Sequence, residues 1–276
     1  MSLQFGLQLY SVRDELKKDY WGTLEKVAAI GYKNLEIAIH NADEGLEPNA
    51  TEFRKRLDAL GMKVVSSHIG PLDRYDDIIA YLHELGCSSI GLGIAFFKNK
   101  QDVLDACQVL NRHGEAYKKG GIDFHYHNHY QEFQKFDGEY VMDIILENTD
   151  KDLVKVELDT YWAVRGGVDP IAYLKKLGDR CDLVHQKDLP AGVKQVNLVE
   201  AAGDNAEITF ESFVKSVDVN DFAEVGEGVL DIGGIIGAAR EIGAAKYMFV
   251  EQDLSSRNQL ESVAISYRNI SKLFGA

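Results

Sequence analysis

The sequence predicts an α/β fold, a (β/α)8 barrel, and three observations carry that expectation. Eight short apolar runs alternate with longer segments whose apolar residues recur at three-to-four spacing. Gly31, Gly61, Gly86, Gly120, Gly178 and Gly243 each stand between a helical segment and the next apolar run, where helices commonly stop. Composition does not shift along the 276 residues. One βα unit repeated through residues 1–276 reads as one barrel domain.

Each element follows in order. The strand runs are Phe5–Leu9, Asn34–Ala38, Lys63–Ser67, Ser88–Leu92, Ile122–His127, Val154–Leu158, Asp182–Gln186 and Tyr247–Glu251. Most are nearly continuous in apolar residues, as expected of parallel strands covered on both faces. Between them the spacing predicts helices over Tyr20–Ile30, Asn49–Leu60, Arg74–Leu85, Gln101–Lys119, Glu139–Glu147, Pro170–Leu177, Ile232–Ile242 and Gln259–Leu273. One segment breaks the rhythm. Leu189–Val225 is long, polar and acidic, and it separates strand seven from its helix. A connection of that length is usually a lid or an ordered insertion, and its position places it over the face where barrel enzymes keep their sites.

Composition narrows the function classes. Thirty Lys and Arg face forty-four Asp and Glu, a formal charge of −14. Such a surface repels phosphate backbones, so no nucleic-acid partner is expected. The apolar runs fall well short of the roughly 20 residues of a membrane helix, so no membrane partner is expected. The N-terminal MSLQFGLQLYSVRDE lacks the features of a secretion signal. Cys87, Cys107 and Cys181 are far apart and odd in number. They suit buried free thiols in a reducing cytoplasm.

In a barrel the chemistry lies at the C-terminal strand ends. Strand two ends at Glu36 and leads to His40. Strand three ends at His68. Strand five ends in His125, Tyr126, His127, Asn128 and His129, with Glu132 beyond. Strand six brings Glu157 and Asp159, strand seven His185, Lys187 and Asp188, strand eight Glu251 and Asp253. Taken singly these have ordinary explanations. A strand-end histidine is often hydrogen-bonded structure, an acid there often caps the next helix, and Tyr10 and Trp162 could be rim packing. Gly226-Glu227-Gly228 could be a turn, and Lys187 a solvated charge. Convergence argues otherwise, because strands five to eight in succession end in an acid or a histidine. Imidazoles and carboxylates on one rim are what a divalent metal requires. Along strand five, His125, His127 and His129 share one face, and Tyr126 and Asn128 the other.

These stretches resemble the xylose isomerase-like barrel superfamily, and more closely its sugar phosphate isomerase/epimerase branch. The matching segments are LQLYSVRDE, SSHIG, FHYHNHYQEF, VELDTYWAVRGGVDP, VHQKD, VGEGVLD and FVEQD, in that order from about Phe5 to Phe274. The resemblance implies one divalent metal (Mn, Mg, Zn or Co) held by Asp159, His185, Glu251 and a fourth group. Many members carry Glu-Asn where this chain has His127-Asn128. Glu132 is the preferred fourth ligand and His127 the competing one, with His127 or His129 as proton-transfer partner and Glu251 as catalytic carboxylate. His68, Glu36, Lys187, Tyr10, Trp162 and Glu227 would line the substrate site.

The implied activity is proton abstraction next to the carbonyl of a sugar, keto-sugar or cyclitol. A metal polarises the carbonyl and holds the enediolate that forms, while a carboxylate or histidine takes the proton. Isomerase or epimerase is the leading expectation. A lyase or dehydratase of an inosose or 3-keto-glycoside is the alternative, because the strand-five end departs from the epimerase pattern. An endonuclease IV-like role would need three zincs and a basic groove, which the charge opposes. A metal-free binding module does not account for the acid and histidine set. Arg165, Lys187 and Arg257 are the rim cations that could meet a substrate phosphate, and the chain could associate as a homo-oligomer.

Overall fold

Eight parallel strands close on themselves in a computed structural model that describes residues 2–39, 42, 46, 48–203 and 206–275. His40 lies outside the described residues. The strands are β1 (Gln4–Gln8), β2 (Asn34–Ile39), β3 (Lys63–Ile69), β4 (Ser89–Leu92), β5 (Asp123–His127), β6 (Lys155–Asp159), β7 (Cys181–Gln186) and β8 (Tyr247–Val250). Each pairs with its neighbours in sequence, and β1 closes the ring between β8 and β2. Around them run α1 (Tyr20–Ile30), α2 (Ala50–Ala59), α3 (Tyr75–Leu85), α4 (Lys100–Lys119), α5 (Val141–Asn148), α6 (Pro170–Leu177), α7 (Ile232–Ile242) and α8 (Gln259–Phe274).

Local chemistry sets these boundaries. Asp19, Asn49, Asn99, Asp169, Asp231 and Asn258 cap α1, α2, α4, α6, α7 and α8 through their side-chain oxygens, each worth about 1 kcal/mol. Gly86 and Gly243 end α3 and α7 in the left-handed conformation. After α4 the left-handed residue is Gly121 (φ 71°) rather than Gly120. The helix expected from Glu139 begins at Val141. Glu139–Tyr140 instead pairs with Lys135–Phe136, joined through Asp137 and Gly138, both at positive φ, the two-residue hairpin chemistry of Asp-Gly.

The main core lies between sheet and helices. Leu7, Leu35, Ile90, Phe124, Val156, Val184 and Met248 point outward from their strands into it. The interior of the barrel is polar instead, with Gln8, Glu36, Ser66, His125, His127, Glu157, Asp159 and His185 all buried. The strand register slips at two places, between Leu35 and Glu36 against β3 and between Val156 and Glu157 against β7. The extra residues are Val65 and Asp182. Such slips re-aim side chains beside functional sites, and here both adjoin an interior glutamate.

The Leu189–Val225 segment is not merely polar. It contains helices Leu198–Ala202 and Phe210–Lys215. Its Leu189, Leu198, Ile208 and Phe222 form a second apolar cluster with Tyr130, Tyr161 and Trp162. In its described residues the expected long connection is therefore a cap with an apolar underside. Among the described residues, no helix is long and apolar enough to cross a membrane. The three cysteines are buried and unpaired.

Candidate active site

Alternation along β5 decides which side chains meet. Phe124 and Tyr126 join the outer core, so His125 and His127 face the interior. Beyond the strand, the Tyr126 hydroxyl donates to Glu132 Oε1 at 2.8 Å and the His129 amide donates to Oε2 at 2.8 Å. Burial pushes the Glu132 carboxyl up to about 7 against those hydrogen bonds. The preference for Glu132 over His127 thus meets a different geometry. Glu132 follows Tyr126 toward the outer side, where both its oxygens are engaged.

The group that does converge is His127, Asp159, His185 and Glu251. Each is buried and offers one donor atom, and the four atoms lie within 4.8 Å of one another. Asp159 is aimed by its neighbours. Its Oδ1 accepts the Trp162 amide at 2.8 Å, capping the helix Thr160–Arg165. Asn128 accepts the Asp159 amide at 2.9 Å and donates to the Asp159 carbonyl at 3.3 Å, bracing the ends of β5 and β6 together. The Thr160 hydroxyl donates to the His185 carbonyl at 3.1 Å, tying β6 to β7.

Two imidazoles and two carboxylates suit a borderline divalent cation. The buried Nδ1 of His127 has no hydrogen-bond partner. Burial, reinforced by the neighbouring imidazoles of His185, His129 and His68, holds His127 well below the usual histidine range, so it is the neutral form that can ligate. The residues present fit a metal. Burial would raise the Glu251 carboxyl, but Lys187 and His185 outweigh it and hold it well below the usual range. Burial would likewise strip the proton from His185, yet Glu157, Glu36 and Glu251 hold it well above; a cation bound among these carboxylates would take the place of that proton.

Lys187 is buried among these acids. Its ammonium contacts Asp159 Oδ2 and lies 2.6 Å from Glu251 Oε2 and 3.6 Å from Asp253. It also lies 5.6 Å from the centre of the Trp162 ring. His129 packs against Trp162 and against Phe213 of the cap, with ring centroids 5.4 and 5.2 Å apart. Its Nδ1 has no partner, nor has the Trp162 indole Nε1. Burial first and then the Lys187 charge keep His129 well below the usual histidine range. Tyr10 sits on the β1 side, its ring under the Arg13 guanidinium at 4.1 Å.

The remaining expected site residues divide. Glu36 lies within β2 rather than at its end, fully buried, and accepts from Gln8 at 2.7 Å. His68 is bonded to Glu157 at 2.6 Å. Glu227 does not join the site: it is exposed and pairs with Arg257 at 2.9 Å. The reason lies in Asp188, whose carboxylate accepts the amides of Gly226, Gly228, Leu230 and Leu189. A Cβ at Gly228 would come 2.2 Å from Asp188 Oδ1, so the Gly-Glu-Gly turn wraps that carboxylate and turns Glu227 outward. Sequence reasoning placed Glu157 and Asp188 at strand ends without assigning either a role, and it did not single out Gln8.

A model of the family described as "Xylose isomerase-like TIM barrel" matches residues 24–268. The inosose dehydratase of Clostridium tetani (strain Massachusetts / E88) is 28% identical over 159 residues, 57% of this chain and 50% of that protein. That of Clostridium beijerinckii (strain ATCC 51743 / NCIMB 8052) is 27% identical over 266 residues, 86% of this chain and 84% of that one. The chain spans about half the length of the first curated relatives it matches. Among solved structures, a sugar phosphate isomerase/epimerase from Parabacteroides distasonis ATCC 8503 is 28% identical with a TM-score of 0.75, covering 97% of this chain and 93% of that one. On the family match and the closed barrel together, the chain belongs to the xylose isomerase-like TIM barrel family.

Proposed function

We propose that this chain is a metal-dependent enzyme that removes the proton next to the carbonyl of a keto-sugar or keto-cyclitol and expels the β-hydroxyl as water. His127, Asp159, His185 and Glu251 would hold the divalent cation. Bound there, such an ion polarises a carbonyl and makes the neighbouring C–H more acidic. The observation that carries the reading is that this cluster holds both a buried ammonium, Lys187, and an imidazole with an unpartnered Nδ1, His129, on the cap side. His129 accepts the C–H proton at its unpartnered Nδ1. The C–H pair becomes the new C=C as the C–O bond breaks, and Lys187 donates the proton with which the hydroxyl leaves. The Trp162 indole N–H donates to a substrate oxygen, and the cap keeps bulk water out.

The names of the curated relatives support elimination. A second reading, isomerisation or epimerisation, is supported by the P. distasonis likeness along nearly the whole chain. It ranks second because an imidazole, His127, stands where a second carboxylate would otherwise provide an opposed base. An unphosphorylated substrate is favoured by the rim cations. Arg165 bonds Tyr161, Val196 and Asp221, Arg257 pairs with Glu224 and Glu227, and Lys187 is held by acids.

The test is incubation with keto-inositols and 3-keto-hexoses in D₂O, with Mn, Mg, Zn or Co supplied in turn. Deuterium exchange with loss of water and a rising enone absorbance is expected. Exchange that returns an isomer or epimer without loss of water gives the second reading. No exchange with any metal overturns the proposal.

A further inference from the structure

Beneath the four donor groups lies an acidic layer that the proposed chemistry does not use, formed by Glu36 and Glu157. Each histidine of the site spans the two layers. His185 places Nδ1 2.8 Å from Glu251 Oε2, and Nε2 2.5 Å from Glu36 Oε2 and 3.2 Å from Glu157 Oε1. His127 places Nε2 3.9 Å from Asp159 Oδ2, and Nδ1 3.6 Å from Glu157 Oε2. In both rings one nitrogen faces Asp159 or Glu251, and the other faces the deeper acids. The deeper acids are themselves oriented, Glu36 by Gln8 at 2.7 Å and Glu157 by His68 at 2.6 Å. Both register slips of the barrel fall at these two residues.

A neutral imidazole offers a lone pair at one nitrogen only when its proton sits on the other, and the partner of that N–H fixes the tautomer and the ring. We infer that Glu36 and Glu157 are positioning residues: Glu36 is bonded to the inner nitrogen of His185, the Glu157 carboxylate faces the inner nitrogen of His127 at 3.6 Å, and their charge turns the outer nitrogens toward Asp159 and Glu251. Glu36 is then not a substrate contact. The rival arrangement is a second cation among His68, His127, Glu157 and His185, whose donor atoms also lie within 4.8 Å. It is disfavoured because a cation there would compete for His127 and His185, two of the four groups that the outer site uses.

This inference rests on the metal reading proposed above, and the experiment separates the two. Co²⁺ is titrated calorimetrically into wild type, Glu36→Gln, Glu157→Gln and Glu157→Ala. Metal per chain, the visible Co²⁺ spectrum and the melting of the metal-free proteins are recorded alongside. Wild type is expected to take one metal. Both Gln variants should bind about 10- to 100-fold more weakly with shifted Co²⁺ bands, and Glu157→Ala more weakly than Glu157→Gln. If Glu157→Gln does not fold, Glu36→Gln carries the same test through His185. Unchanged affinity and spectrum in the Gln variants overturn the inference alone. Two metals in wild type, falling to one in Glu157→Gln, overturn it in favour of the second cation. No metal in wild type defeats the metal reading and this inference with it.

Discussion

His125 and His127 stand two residues apart on the same face of β5, both buried, yet they live in opposite circumstances. His125 is satisfied at both nitrogens, with Ser89 Oγ at 3.0 Å and Asp182 Oδ1 at 2.6 Å, and Asp182 is held in turn by Lys246 at 3.0 Å. His127 has an unpartnered Nδ1, above interior acids that each keep an unpartnered oxygen, Glu36 Oε1 and Glu157 Oε1. A buried polar group without a partner costs about 1–3 kcal/mol. Several such groups gathered one layer above a fully paired set are what the proposed ligand site rests on. Residue type and burial do not tell these two histidines apart, whereas hydrogen-bond partnership does.

The sharpest way to break that contrast is at the upper layer. Glu251→Gln and His127→Ala are each expected to lower C–H exchange about 10²- to 10⁴-fold, His127→Ala with loss of bound metal. His129→Ala should stop turnover while metal stays bound. Metal analysis beside exchange kinetics reads all three, and full exchange in Glu251→Gln would make that carboxylate structural.

The lower layer should respond in stability instead. Asp182→Asn or His125→Ala is expected to cost about 3–5 kcal/mol in denaturant unfolding, with metal content unchanged. The pH dependence has a definite sign. Burial would raise the Asp182 carboxyl, but His125 and Lys246 bring it down to about 2. Its contribution is present above the ordinary carboxylate range and is lost as pH falls toward 2. Burial opposes the charge on His125, yet Asp182 raises it above the usual histidine value. That contribution is full below about 6.5 and fades as pH rises through the raised value. The stability gap between wild type and Asp182→Asn should therefore be widest between about pH 4 and 6.5. A gap flat from pH 2 to 9 would contradict the pairing.

Glu132→Ala tests the divide between the two sides of β5. It removes acceptors for Tyr126 and the His129 amide, so about 1–3 kcal/mol of stability should go while metal stays stoichiometric. Metal lost in Glu132→Ala and kept in His127→Ala would restore Glu132 as the ligand. The smallest effect belongs to Glu227→Ala, where an exposed ion pair is worth at most about 1 kcal/mol and kinetic constants should not move.

Much of this was legible in the chain itself. Apolar runs, helical spacing and punctuating glycines give the barrel, because those signals are local and repeat in every unit. Asp159, His185 and Glu251 were legible as well, because each stands at the end of an apolar run and a barrel brings strand ends to one rim. Only the tertiary structure shows that His127 rather than Glu132 gathers with these three, since which face of β5 turns inward depends on the outer core that claims Tyr126. It alone turned Glu227 outward, because the Gly-Glu-Gly turn wraps Asp188, a carboxylate 38 residues before Gly226. It also set Glu36 and Glu157 beneath the histidines, through register slips that arise only when two strands pair. Periodicity is written in the order of residues. Partnership between distant side chains is fixed only when the barrel closes and each buried polar atom meets, or lacks, its acceptor.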